Sequence, residues 1–136
     1  MSGLHILFHT NRFNLTETRP DYINADCYGD DLAVWLKSKL QKNKDRQVTI
    51  TPEDWGWRVD VGTAPDGHVL RINGLLDEIP HLPNDGEGRL IVEKKRTLWQ
   101  RLLGNDGTVR DDPMVVELLA LLHGEADIMD VKLEDD

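Results

Sequence analysis

Glu53 and Asp54 stand directly before Trp55, Gly56 and Trp57, and Arg58 follows. A carboxylate beside large rings loses water, and lost water raises its pKa toward the range of a general acid. The same two acids would also form a lip for a cation. A plainer arrangement competes with both: the acids face water in a turn while the rings fill the core. Each ring would then bury roughly 150–250 Å², and this plainer arrangement carries more weight. Arg71 comes near the same stretch if residues 57–61 and 68–72 pair as a hairpin. Glu53, Asp54, Trp55, Trp57, Arg58 and Arg71 are therefore the candidate residues for meeting a partner or ligand.

No other set of residues assembles a recognisable catalyst. His5 and His9 share one side of a strand but sit about 13 Å apart along it, too far to ligate one metal ion directly. Cys27, His68 and His81 lack the close spacing of zinc ligands. Cys27 has no local signature of a nucleophile, and a lone cysteine more often packs as a small apolar side chain. Asp30 and Asp31 are better explained as a helix cap than as acid–base groups. The sequence also contains no phosphate-binding glycine loop, serine nucleophile elbow or calcium-binding loop. No metal and no cofactor is expected.

The elements that position these residues follow from periodicity. Residues 4–9 form a first strand, with Leu4, Ile6 and Phe8 on one face and His5, Leu7 and His9 on the other. Residues 10–29 show no sustained period and hold Phe13, Leu15, Tyr22, Ile23 and Tyr28, a long connection suited to a functional surface. Capped by Asp30 and Asp31, a helix then carries Leu32, Trp35, Leu36 and Leu40 on one stripe. Residues 47–51 read as a strand, and 52–56 as the turn that follows. Trp57, Val59 and Val61 alternate with Arg58 and Asp60 in the next strand.

Ala64, Pro65, Asp66 and Gly67 give the hairpin turn, and His68, Leu70 and Ile72 share a face beyond it. Residues 74–89, with two prolines and several glycines, read as an irregular excursion before a strand at 90–94. Thr97 and Gln100 suggest a capping box for a short helix with Leu98, Trp99, Leu102 and Leu103. A further helix has Asp112 at its cap, Pro113 in its first turn and His123-Gly124 at its end. Met129, Val131 and Leu133 alternate in a last strand. The expected fold is α+β: an antiparallel sheet of about five to six strands with two to three helices packed on one face, a two-layer sandwich. Residues 1–136 make one domain.

Charge and composition limit the partners. The formal net charge of −9 opposes sequence-independent binding to nucleic acid, and stacking of bases on the tryptophans would need a basic groove beside them. The charge is uneven, with five cations against Asp45 over residues 37–46 and six acids against Lys132 over residues 125–136. Solvated helix and tail ends explain this most simply, and a two-signed surface that steers a charged protein is the sharper alternative. No apolar run reaches the roughly 18 residues of a membrane span. The single cysteine and the absence of a secretion signal at the N-terminus point to the cytoplasm.

The run Tyr22-Ile23-Asn24-Ala25-Asp26-Cys27-Tyr28-Gly29-Asp30-Asp31-Leu32-Ala33-Val34-Trp35-Leu36, followed by Glu53-Asp54-Trp55-Gly56-Trp57, resembles a group of short uncharacterised bacterial proteins. The resemblance covers roughly residues 13–61. It implies a bacterial stand-alone domain and brings no activity with it. The functional expectation is a small acidic cytoplasmic protein-binding module of immunity, inhibitor or regulatory type, without catalysis. Its surface would centre on residues 13–31 and the Glu53 to Trp57 turn. The alternative is a small-molecule-binding protein or minor enzyme with a pocket between helix and sheet, using Glu53, Asp54, Arg58 and Arg71. Mimicry of DNA ranks third, because basic clusters at 37–46 and 89–101 interrupt the acidic surface.

Overall fold

The computed structural model describes residues 4–10, 20, 29–42, 46–62, 67–77, 86–94 and 112–135, with 73–77, 86–87 and 135 as backbone alone. In chain order the elements are β1 (Leu4–Thr10), α1 (Asp30–Gln41), β2 (Val48–Glu53), β3 (Gly56–Val61), β4 (His68–Asp77), β5 (Gly86–Lys94), α2 (Pro113–His123) and β6 (Ile128–Asp135). The strands form one six-stranded sheet in the order β2-β3-β4-β5-β1-β6. Every neighbouring pair is antiparallel. The expected α+β class and antiparallel sheet are present. The helix expected near Thr97 lies outside the described residues, as do Cys27, His81, most of the 10–29 connection and the Pro65-Asp66 turn.

Alternation builds the core directly. Register places Pro52, Trp57, Ile72, Leu90, Ile6 and Leu133 in one row across all six strands. Ile50, Val59, Leu70, Val92 and Leu4 make the next row. These side chains point to one side because successive residues of a strand alternate faces. Apart from the exposed Pro52, and with Ile50 and Leu133 packed at its edge, they join Leu32, Trp35, Leu36 and Leu40 of α1, and Met114, Val115, Leu118 and Leu122 of α2, in a single core cluster. The stripes expected on β1, β3, α1 and α2 are buried or packed at the core's edge. Between the helices, Arg46 donates two hydrogen bonds to Glu117, at 3.0 and 3.2 Å.

Both helix starts rest on β4. The residue that caps α1 is Gly29, not Asp30 or Asp31, which occupy the first turn. The correction has a steric cause: a Cβ at position 29 would stand 2.7 Å from Ile72 Cγ2 and 3.5 Å from Trp57 Cδ1. Gly29 also has φ 127, a region that side chains disfavour. Asp30 and Asp31 still suit the positive end of the helix. At α2 the sequence expectation holds: the Asp112 side chain accepts a hydrogen bond from the Met114 N–H at 2.9 Å, and Pro113 opens the helix. Asp112 Oδ1 also lies 3.0 Å from His68 Nε2 on β4, with side-chain exposures of 7% and 8%. That contact is within ion-pair distance but lacks hydrogen-bond alignment, and His68 Nδ1 is buried with no hydrogen-bond partner among the described residues.

The strand limits differ from those read in the sequence in three places. β2 runs through Pro52 to Glu53, so the turn shrinks to Asp54 and Trp55. Proline is tolerated there because β2 is an edge strand. β4 and β5 extend into the stretch read as irregular, reaching Asp77 and starting at Gly86. Their pairing shifts by one residue between Ile72 and Leu75, a bulge that absorbs Asn73-Gly74. In β6, Asp130 has φ 55 and the pairing with β1 shifts between Leu7 and His9. The bulge reverses the alternation, so Met129 is 48% exposed while Val131 and Leu133 pack against the core.

Two substitutions test the helix seats. Gly29→Ala should lower stability by about 2–4 kcal/mol from backbone strain plus overpacking. The readout is a lower urea midpoint at unchanged slope; an unchanged midpoint would mean that position 29 has room. Asp112→Ala should cost about 2–4 kcal/mol, because it removes a cap and strands a buried imidazole. Asp112→Asn keeps an oxygen for the Met114 N–H and should cost clearly less. Equal losses in the two variants would show that the cap is not what Asp112 contributes.

Candidate functional site

Asp54 and Trp55 form a two-residue connection between paired Glu53 and Gly56. Neither has a positive φ, so the hairpin does not use a mirror-image turn. Gly56, with φ 148, takes the unusual backbone angle instead. This geometry separates the two tryptophans. Trp57 is 3% exposed and belongs to the core, so it offers no surface to a partner. Trp55 is 39% exposed at the hairpin tip.

Arg58 and Arg71 face each other across β3 and β4 on the side of the sheet opposite the core cluster. Arg71 places its guanidinium carbon 5.9 Å from the centre of the Trp55 ring, within cation–π range. It also stands 3.0 Å from Glu93 Oε1 of β5. Arg58 donates two hydrogen bonds of 3.0 Å to the Asp60 carboxylate. That bonding holds the Arg58 proton more tightly than usual; burial opposes it, and the charges of Asp60, Glu53 and Glu93 add to it. Glu53 is half-buried and close enough for its charge to act on Arg58, and Asp54 is exposed next to Trp55 in the turn. The structure thus brings five of the six candidates, Glu53, Asp54, Trp55, Arg58 and Arg71, to one end of the outer face and removes Trp57.

Chemically, this patch is an aromatic anchor framed by paired charges. Arg58 is bonded to Asp60 and Arg71 is paired with Glu93, and Arg71 alone lies over the ring. Among the described residues, no three His, Cys, Asp or Glu side chains come together to hold a metal ion. No helix among them is long and apolar enough to cross a membrane.

A second feature escaped sequence reasoning. A cleft of about 460 Å³ opens over β5, β1 and β6, lined by Leu7, Phe8, His9, Arg89, Asp130, Lys132 and Glu134. It contains none of the six candidates. His5 and His9 were visible as the off-core side of β1, but only the strand order sets Arg89 on one flank of Leu7 and Lys132 on the other. Comparison with known proteins adds no relative: no family model, no curated protein and no solved structure matches this chain.

The contrast between the tryptophans is measurable. Trp57→Ala should cost about 3–5 kcal/mol, as for a large buried ring. Trp55→Ala should cost clearly less, about 1–2 kcal/mol, since the ring is already 39% exposed and lies outside the core cluster. Urea unfolding of both variants reads the difference, and a reversed order would place Trp55 in the core.

Proposed function

We propose that this chain is a small acidic protein-binding module of immunity, inhibitor or regulatory type, acting without catalysis in the bacterial cytoplasm. The observation that carries the reading is Trp55, exposed at a hairpin tip and held by Arg71. Tryptophan and arginine are the residues that most often dominate binding energy at protein interfaces. A ring already ordered by a cation loses little conformational freedom on binding. In this reading both helices pack on one face of the sheet, and the opposite face meets the partner. Glu53 and Asp54 beside the ring, and a net charge of −9, favour a basic partner drawn in by long-range attraction.

A second reading is a small-molecule-binding protein. The cleft over β5, β1 and β6 favours it, in place of a pocket built from Glu53, Asp54, Arg58 and Arg71. The two readings use different residues and can be tested apart.

The first is tested by purifying the tagged chain from its native bacterium and comparing wild type with Trp55→Ala and Arg71→Ala. A basic protein should co-purify in stoichiometric amount, and each variant should weaken its binding by at least about tenfold while remaining folded. A partner retained equally by both variants would remove the Trp55 patch from the interface. A partnerless preparation would overturn the module reading.

A further inference from the structure

We infer that the cleft over β5, β1 and β6 binds a small zwitterion, a free amino acid or short peptide, with its carboxylate at Arg89 and its ammonium group at Glu134. The inference deepens the small-molecule reading and is independent of the Trp55 surface. The cleft holds about 460 Å³, within the range of roughly 300–1,000 Å³ common for small-ligand sites.

Its charges are sorted by strand. On the β5 side stands Arg89, exposed, with Nη1 3.5 Å from His5 Nδ1. A guanidinium can grip a carboxylate through two parallel N–H bonds. Two strand spacings away, about 10 Å between backbones, the β6 side presents Asp130, Lys132 and Glu134. These sit at every second position of one strand, so Lys132 lies between two carboxylates and the wall keeps a net negative charge. Ordinary alternation places Asp130 on this rim with Lys132 and Glu134, and the bulge at Asp130 turns Met129 to the same side. Between the two walls lies Leu7, half-buried and directly paired with Arg89 on one side and Lys132 on the other. Its apolar surface forms the floor, and His9, with exposed Met129 paired across from it, closes one end.

This division selects against ligands of one sign. A simple anion that satisfies Arg89 would meet two carboxylates on the far wall. A simple cation that satisfies those carboxylates would meet Arg89 and Lys132. A ligand with both charges, and an apolar segment over Leu7, leaves neither wall unpaired.

The test is a ¹H–¹⁵N NMR titration of the full chain with the standard amino acids and a set of glycyl dipeptides, one at a time. At least one should give saturable shifts centred on the amides of Leu7, Arg89 and Lys132. Its N-acetyl and carboxamide forms, each missing one charge, should bind at least tenfold more weakly. Arg89→Gln and Glu134→Gln should each weaken the zwitterion at least tenfold. Both side chains are exposed, and melting temperatures confirm that the variants fold. Trp55→Ala should leave the titration unchanged. No saturable shift with any probe would overturn the proposal. Equal binding of a blocked form would replace it with a single-charge site, and wild-type affinity in both variants would remove it from this cleft.

Discussion

Ile72 occupies the space where a side chain at position 29 would be, and that exclusion fixes how α1 meets the sheet. The helix starts with its backbone against β4 and β3, so Leu32, Leu36 and Leu40 are delivered to the core at a set height. Farther along the same inner face of β4, His68 receives the cap of α2 through Asp112. One strand with neighbours on both sides therefore locates both helices. A slip of one residue in β4 would turn Ile72 and His68 outward together and unseat both. The Arg46–Glu117 pair then ties the segment after α1 to α2, so the two seats are not independent.

The two seats differ in kind. Gly29 is held by shape alone, and shape discriminates because packed interiors yield little. The other seat is polar. A buried imidazole beside a buried carboxylate is a poor source of stability compared with apolar packing of the same volume. What it supplies is a requirement: removing Asp112 leaves the buried imidazole with no group of opposite charge beside it, so α2 has one acceptable position. The Met114 N–H, bonded to the same carboxylate oxygen, makes the helix start and the sheet contact parts of one arrangement.

Legibility in the sequence followed the range of the interaction. β1, β3, α1 and α2 were readable because their periods are local and their buried residues are the ones the periods select. The caps were half readable: Asp112 acts as a short polar side chain before proline should, whereas Gly29 is chosen by residues more than twenty positions away in sequence. The ends of β4 and β5 were hidden by Asn73-Gly74 and by the glycines at 86 and 88, residues that break strands in isolation and form a bulge when a partner strand is present. By period Met129 shares a face with Val131 and Leu133, and a single backbone angle at Asp130 puts it on the other. Of the candidate site, the hairpin tip was legible, but which ring turned outward was not, since that depends on where the two-residue turn falls. The cleft was illegible. It exists only because β1 enters the sheet between β5 and β6.

That strand order also couples the two surfaces. Register carries one outer row from Thr51 through Arg58, Arg71 and Ile91 to His5 and Glu134. Arg71 stacks on Trp55, and His5 touches Arg89, so the aromatic patch and the cleft are separated on this row by two strand spacings, about 10 Å. A protein partner of ordinary footprint, about 800 Å² on each side, that is centred on Trp55 would reach over Ile91 toward Arg89. On the cleft reading, a ligand charge about 10 Å away would lie just beyond one Debye length at physiological salt and would reach Arg71 only weakly. On the proposed readings the surfaces would then be linked mainly by coverage, with no conformational change required. By reciprocity, a zwitterion that weakens the partner would itself be weakened by the partner to the same degree.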